Sequence, residues 1–83
     1  MASKSSLDPL TLLKKYTGTL VKIRLKSGVE IRGRLENCDR FMNMIISDAT
    51  ECEAVNSQAI RKYGKIFIRG NNILFITVEQ GVI

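Results

Sequence analysis

The sequence has 83 residues, which is enough for a single domain. Hydrophobic residues make up 45% of the chain, which is typical of a folded protein, and an excess of 13 basic over 8 acidic residues gives a formal net charge of +5. There is no histidine, no P-loop motif and no acid pair at a defined spacing. This composition argues against an enzyme, and we expect no cofactor, no metal site and no small-molecule substrate.

The charges are distributed unevenly along the chain. Lys14 to Arg34 contains seven bases and one acid, and Arg61 to Arg69 contains four bases and no acid. Between them, Glu36 to Glu53 contains five acids and one base. Two basic segments around an acidic hairpin suggest a surface that faces a polyanion such as nucleic acid. The alternative is the ordinary solvated surface of a basic protein.

The domain is expected to cover residues 7–80, between a flexible N-terminus at residues 1–6 and a short C-terminal end at residues 81–83. The N-terminus lacks the apolar run of a signal peptide, and no stretch reaches transmembrane length. Cys38 and Cys52 lack CxxC spacing, and the strand pairing predicted below separates them by roughly 30 Å along a straight strand. We therefore expect free thiols in an intracellular protein without a membrane partner.

One short helix is predicted near the start of the chain. Asp8 is suited to cap it, and Pro9 is suited to its first position. Leu10 and Leu13 fall on one face, and Gly18 provides a stop. A helix this short does not persist alone, so it must pack against the rest of the domain.

Beyond Gly18 the apolar residues alternate with a period of two, which indicates strands. Gly33 occupies an apolar-side position in the second strand, where glycine often marks a sharp bend and a close backbone approach. Residues 55–62 are predicted to be a polar connection. The five predicted strands are Leu20–Lys26, Val29–Glu36, Asn43–Ala54, Tyr63–Arg69 and Ile73–Val78.

These elements predict an all-β fold, a small, strongly bent, five-stranded antiparallel barrel with a short N-terminal helix. The last two strands are apolar on both faces, through Ile66, Phe67, Ile68, Ile73, Leu74, Phe75 and Ile76. A lone barrel would expose one of those faces to water. We interpret these residues as a subunit interface, the alternative being an aggregation hazard.

Two turns carry the residues of a possible binding site. Phe41 and Asn43 lie in the first turn, and Arg69 precedes the glycine turn at Gly70. If the turns converge, a base can stack between the Phe41 ring and the Arg69 guanidinium, while the Asn43 amide reads the uracil edge. Asp39 is suited to hold the first turn by accepting backbone N–H bonds. Taken singly, each residue has an ordinary structural explanation.

Two segments resemble the paired motifs of the Sm/LSm (Sm-like) family. Gly18 to Ala49, with Gly33 and then Asp39-Arg40-Phe41-Met42-Asn43, resembles the first motif. The segment Ile66-Phe67-Ile68-Arg69-Gly70-Asn71-Asn72-Ile73 resembles the second. Within the family, the region from Lys62 to Ile76 is most similar to the LSm counterpart of SmF. Arg40-Phe41 departs from the glycine-tyrosine pair usual in that branch, and Phe41-Met42-Asn43 is equally similar to SmG.

The resemblance implies a subunit of a six- or seven-membered ring, closed by pairing the fourth strand of one subunit with the fifth of the next. It implies binding of uridine-rich single-stranded RNA at Phe41, Asn43 and Arg69, with Asp39 and Gly70 shaping the loops. It also implies work in splicing ribonucleoproteins or mRNA decay, in the nucleus, the cytoplasm or both. The alternatives are an SH3-like protein-interaction module and a purely architectural ring subunit that does not use an RNA pocket. The ring itself is either homomeric or heteromeric.

Overall fold

The computed structural model describes residues 9–53, 55–56 and 58–78, so the predicted cap at Asp8 and both chain ends lie outside the described residues. Among these residues, no helix is long and apolar enough to cross a membrane. A single-turn 3-10 helix, Gly70–Asn72, joins the last two strands. The other elements are α1 (Pro9–Lys15), β1 (Leu20–Leu25), β2 (Glu30–Cys38), β3 (Met44–Cys52), β4 (Ala59–Lys62), β5 (Lys65–Ile68) and β6 (Ile73–Val78).

Helix α1 is short and is held by the sheet beneath it, as its length requires. Leu13 is buried in the core, and Leu10 packs against it. The chain leaves the helix through Gly18, whose φ of 93° favours glycine and whose N–H donates to the Leu35 carbonyl, 2.7 Å away. This hydrogen bond connects the end of the helix region to the middle of β2.

The strands form one antiparallel sheet in the order β4-β3-β2-β1-β6, and β5 also pairs with β3. The turn between β1 and β2 lies at Gly28, with φ 98°, where the sequence predicts it. Within the described residues, β5 pairs only with β3 and β6 pairs only with β1. In the part of the chain that the structure describes, the sheet therefore does not close, and its edges are β6 on one side and β4 and β5 on the other.

The predicted polar connection at residues 55–62 is wrong for its last four residues, because Ala59–Lys62 form β4. All four residues are exposed, and they lack the apolar alternation that indicates a strand. β4 and β5 both lie along β3, one beside each end of it. Around the break, the Tyr63 N–H donates to the Ala49 carbonyl and the Ala49 N–H to the Gly64 carbonyl. The single strand predicted at Tyr63–Arg69 therefore corresponds to two strands. β4 begins four residues before the predicted start, and the pairing is interrupted at Tyr63-Gly64 before β5 begins.

The bend of the sheet is located at Gly33, as the sequence predicts. A Cβ atom at this position would collide with the Ile46 side chain and would lie 2.8 Å from the Ser47 carbonyl oxygen. Opposite it, the register between β2 and β3 shifts, and Asp48 has a φ of 51°. Gly33 lets β2 and β3 fold tightly around the core, whose fully buried large side chains are Ile23, Leu35, Met44, Ile46 and Val21.

Replacing Gly33 by alanine is expected to destabilise the domain by about 1–3 kcal/mol, because the added methyl group would collide with the Ile46 side chain and the Ser47 carbonyl oxygen. For a domain of this size, each kcal/mol corresponds to a fall in Tm of roughly 4–8 °C. Gly64→Ala is the matched control, because a Cβ there meets nothing within 4 Å. Thermal unfolding followed by circular dichroism checks this, and equal melting of the two variants would contradict the close approach.

The edge strands leave large apolar side chains exposed. Phe67 on β5 is 63% exposed, and Leu74 and Phe75 on β6 are 59% and 50% exposed. Ile68 is instead buried in the domain's own core, and Ile66, Ile73 and Ile76 are half-buried. Of the residues predicted to form an interface, Phe67, Leu74 and Phe75 therefore present their side chains outward.

Both cysteines are buried free thiols near opposite ends of the β2–β3 hairpin. Cys38 pairs with Met44 near the loop, whereas Cys52 pairs with Glu30 at the other end. Burial raises the pKa of the Cys38 thiol. The raised pKa keeps this thiol protonated, and a protonated thiol in the core is unreactive.

Candidate functional site

The loop between β2 and β3 is organised by the carboxylate of Asp39. Its Oδ1 accepts hydrogen bonds from the backbone N–H groups of Phe41 and Asn43, at 2.8 and 3.0 Å. The loop is also closed by the Asp39 N–H bonding to the Asn43 carbonyl and the Met42 N–H bonding to the Asp39 carbonyl. Aspartate favours this arrangement because its short side chain reaches the N–H groups that follow it.

The turn after β5 is brought against this loop by Gly70. A Cβ atom on Gly70 would collide with the Phe41 carbonyl oxygen and would lie 3.0 Å from Met42 Cβ. Met42 itself has a φ of 68°, which is unusual for a residue other than glycine. The two turns are in contact, and only glycine at position 70 permits this approach.

The side-chain amide of Asn43 joins the two turns. Its Oδ1 accepts a hydrogen bond of 2.8 Å from the Gly70 N–H, and its Nδ2 donates to Asp39 Oδ2 at 3.1 Å. The Gly70 N–H must donate to the amide oxygen of Asn43, and the Asp39 carboxylate must accept from the amide nitrogen. These two partners therefore fix which way the amide is oriented. The sequence predicts a base-reading role for Asn43 but carries no signal for this bridging contact, which joins residues 27 positions apart in sequence.

The Asn43 amide can form further hydrogen bonds to a ligand. An asparagine amide has two N–H donors and two lone pairs on its oxygen, and the contacts described use one of each. One donor and one acceptor remain, side by side on a fixed group that is half-buried. This pair matches the adjacent carbonyl O4 and N3–H of a uracil edge.

The ring of Phe41 is 67% exposed at the tip of the loop, so it is available for stacking rather than being part of the core. The guanidinium beside this ring is that of Arg40, whose Cζ lies 5.2 Å from the ring centroid. Arg69 directly precedes Gly70 and is exposed. The structure thus links Asp39 and Gly70 through Asn43, which contacts both, and places Phe41 and Arg69 on the two adjoining turns.

A cavity of about 120 Å³ opens beside the Asn43 amide. Its lining includes Ile45 on β3 and the exposed Phe67 on β5, together with Asp39 and Asn37. Asn37 and Ile45 are not among the site residues predicted from the sequence. The register of the hairpin could have suggested them, because Asn37 pairs with Ile45 next to the loop.

Hydrogen bonds set the ionisation of Asp39. Desolvation by itself would raise the pKa of the carboxyl, but hydrogen bonds from the backbone and side chain of Asn43 and from the Phe41 N–H together lower it. Arg40 lowers the pKa of Asp39 further. The carboxylate form is therefore the one that holds the loop at neutral pH.

The loop between β2 and β3 is expected to lose its hydrogen bonds to Asp39 only at acidic pH. Because the pKa of Asp39 is lower in the folded protein than the ordinary value of 3.8, its contribution is complete above that value and is lost as the pH falls through the folded pKa. Chemical shifts of the Phe41 and Asn43 amides followed by NMR would report this loss below pH 3.8. Amide shifts of that loop that stay constant through acid, until the whole domain unfolds, would contradict the role of Asp39.

Comparison with known proteins identifies the family. Residues 11–78 match the model of the LSM domain, which is most of the chain. The chain belongs to the LSM-domain family. A protein from Coprinopsis cinerea, "U6 snRNA-associated Sm-like protein LSm6", is 43% identical over 75 residues, covering 90% of this chain and 77% of the relative. "Sm-like protein LSM36B" from Arabidopsis thaliana is 42% identical over 82 residues, covering 99% and 88%.

Solved structures of LSM-domain proteins agree with this assignment. The Sm protein of Pyrococcus abyssii, solved in complex with a uridine heptamer, superposes with a TM-score of 0.78 at 36% identity, covering 84% of this chain and 96% of that one. A heptameric archaeal Sm protein superposes with a TM-score of 0.72 at 33% identity, covering 81% and 94%. These likenesses, together with the relatives named LSm6, confirm the predicted Sm fold and the predicted resemblance to the LSm branch.

Proposed function

We propose that this LSM-domain protein is a non-enzymatic subunit of an Sm-like ring that binds uridine-rich single-stranded RNA. The observation that carries the proposal is the 2.8 Å hydrogen bond from Gly70 to Asn43, which joins the two predicted turns into one site. The similar Sm protein solved with a uridine heptamer supports RNA as the ligand. The name of the relatives, "U6 snRNA-associated Sm-like protein LSm6", supports a role with the U6 snRNA. The family resemblance implies that this role lies in splicing ribonucleoproteins or in mRNA decay.

Each residue of the site has a distinct role in this proposal. Phe41 and Arg69 provide flat groups on which a base stacks, contributing roughly 1–3 kcal/mol per base without selecting among bases. Asn43 provides the remaining donor and acceptor that distinguish uracil from cytosine. Asp39 and Gly70 hold these groups in place by the contacts described above.

Assembly in a ring is proposed through the free sheet edges. Among the residues that the structure describes, no strand pairs with the outer edge of β5 or of β6, and the exposed Phe67, Leu74 and Phe75 lie on these two strands. Pairing β5 of one copy with β6 of another Sm-like subunit would join the two sheets through their backbone groups and cover these side chains. The subunit would then work in the nucleus, the cytoplasm or both.

The proposed function is tested by comparing oligouridine with oligocytidine of equal length. The wild-type protein is expected to favour uridine, because cytosine presents an amino group and an unprotonated N3 where uracil presents O4 and N3–H. Asn43→Ala is expected to bring the ratio of the two affinities close to one. Fluorescence anisotropy with labelled oligomers measures both affinities.

Phe41→Ala is the matched control for base selection. It should weaken binding of both oligomers by roughly 1–3 kcal/mol per engaged base and leave their ratio unchanged. Because Phe41 is 67% exposed, this variant should melt like the wild type. Equal affinities of the wild-type protein for uridine and cytidine would refute base reading by Asn43, whereas binding of neither oligomer would favour an architectural subunit.

A further inference from the structure

Three side chains are linked across three neighbouring strands at the β6 edge of the sheet. Glu30 on β2 is the cross-strand partner of Arg24 on β1, and Arg24 is the partner of Phe75 on β6. Side chains that are directly opposed in an antiparallel pair are close enough to interact. We call these three residues the edge triad. It connects a buried acid to an aromatic ring on a strand that pairs only with β1 in the described part of the chain.

Glu30 holds the end of the Arg24 side chain in place. Glu30 is only 2% exposed, and its Oε1 accepts a hydrogen bond of 3.1 Å from Arg24 Nη2. A carboxylate this deeply buried is costly unless a cation accompanies it. Arg32 Nε lies farther away, 4.0 Å from Glu30 Oε2, so Arg24 makes the shorter contact. The guanidinium of Arg24 is therefore fixed from beneath by a group that cannot move into water.

Arg24 in turn lies over the ring of Phe75. Its Cζ is 5.5 Å from the ring centroid, which is within the range where a guanidinium is attracted to an aromatic face. Phe75 nevertheless remains 50% exposed, so this contact leaves half of the side chain open to a partner. A ring that is already held in one orientation loses less conformational entropy when a partner binds it.

The strand pairing alone does not set the position of this ring. Arg24 pairs with Phe75 and the next residue, Leu25, pairs with Ile73, so Leu74 is an extra residue in β6 at a register shift. Such bulges twist the strand and change the direction of nearby side chains. The contact with Arg24 gives Phe75 a defined position beside this irregularity.

We propose that Glu30 and Arg24 are positioning residues for ring assembly, which hold the Phe75 ring in the orientation that the β5 edge of the neighbouring Sm-like subunit binds. The proposal rests on the ring assembly of the proposed function and adds two polar residues to it. Aromatic side chains in fixed positions are typical anchors of protein interfaces. Assembly should therefore depend on residues 24 and 30 through the ring at residue 75.

A double-mutant cycle between positions 24 and 75 tests this dependence. Arg24→Gln, Phe75→Leu and the combined variant are compared with the wild type by sedimentation velocity over a dilution series, on purified protein from which RNA has been removed. Arg24→Gln is expected to weaken assembly by roughly two- to fivefold per interface, the size expected for one exposed contact between a cation and a ring. In the Phe75→Leu background the same change should have almost no effect, because the ring that Arg24 positions is gone.

Glu30→Gln tests whether Glu30 acts through Arg24. This variant keeps the size of the side chain but removes the charge that holds the guanidinium. It should weaken assembly in the same direction as Arg24→Gln, and its effect should disappear once Arg24 is also replaced. Where Arg24→Gln alone fails to fold, Arg24→Gln/Glu30→Gln takes its place in the cycle, because it leaves no buried carboxylate without its cation.

Arg40→Gln is the matched control. It removes a guanidinium that lies 5.2 Å from the centroid of another exposed ring, Phe41, in the loop between β2 and β3 rather than at the sheet edge. Assembly of this variant should equal that of the wild type.

Melting temperatures measured alongside separate positioning from folding. A purely structural role for Arg24 and Glu30 would lower the Tm and give assembly losses that are simply additive with Phe75→Leu. Additive losses, unchanged assembly of Arg24→Gln, or an equal loss for Arg40→Gln would each overturn the proposal. A wild-type protein that does not assemble at all would instead refute the ring of the proposed function, and this proposal with it.

Discussion

Gly70→Ala is expected to reduce RNA binding more than any other single substitution within the two-turn site. The added methyl group would collide with the Phe41 carbonyl oxygen and press against Met42, so the two turns must separate. Separation breaks the hydrogen bond from Gly70 to Asn43, which fixes the amide, and shifts Phe41 and Arg69 relative to each other. Both the stacking and the base-reading contacts are lost together, and we expect uridine affinity to fall by at least about 100-fold, since one base contact contributes roughly 1–3 kcal/mol.

Gly64→Ala is the control for this substitution, since it makes the same chemical change at an exposed position with free space around it. It should leave uridine affinity unchanged. Affinities measured by anisotropy, together with melting temperatures, separate a local effect on the turns from unfolding. A Gly70→Ala protein that binds a uridine heptamer as tightly as the wild type would show that contact between the turns is unnecessary for binding.

The second large effect is expected for Leu74→Glu, which should abolish assembly. Leu74 is 59% exposed and lies at the point where the pairing of β6 with β1 shifts register. In an assembled ring, burial of a leucine side chain contributes about 1.5–3 kcal/mol at each interface. A buried glutamate would remove this contribution and add the cost of desolvating a charge, and the loss is repeated at every interface that contains the variant.

Sedimentation velocity is the measurement for this prediction. The Leu74→Glu protein is expected to sediment as a 9.3 kDa monomer under conditions in which the wild type forms a larger species. Leu20→Glu is the matched control, because Leu20 is 48% exposed but lies on β1, which has a paired strand on each side. Assembly of Leu74→Glu equal to that of the wild type would exclude this edge from the interface.

The sequence predicted most of the fold because its signals are local. Alternating apolar residues indicated the strands. Gly33 indicated the bend, because a glycine inside a strand often marks a sharp bend or a close backbone approach. The strand Ala59–Lys62 was missed because it is exposed throughout and is held to β3 by backbone pairing. The burial of Glu30 was also missed, because it depends on arginines that are brought to it by the pairing of β1 with β2.

The candidate site was predictable in composition but not in geometry. Asp39, Phe41 and Asn43 could be chosen because each residue type has a recognisable chemistry in a turn. Their contact with Gly70 spans a long stretch of chain, and no periodicity in the sequence reports it. The bridging role of Asn43 and the position of Arg40 beside the Phe41 ring therefore required the structure.

Native mass spectrometry of the tagged protein, recovered from its own cells without denaturation, tests the central claim most directly. The expected result is a complex of several Sm-like subunits that includes this 9.3 kDa chain and carries RNA, and that releases the RNA after nuclease treatment. Recovery of the chain only as a 9.3 kDa species without RNA would contradict the assignment of an RNA-binding ring subunit.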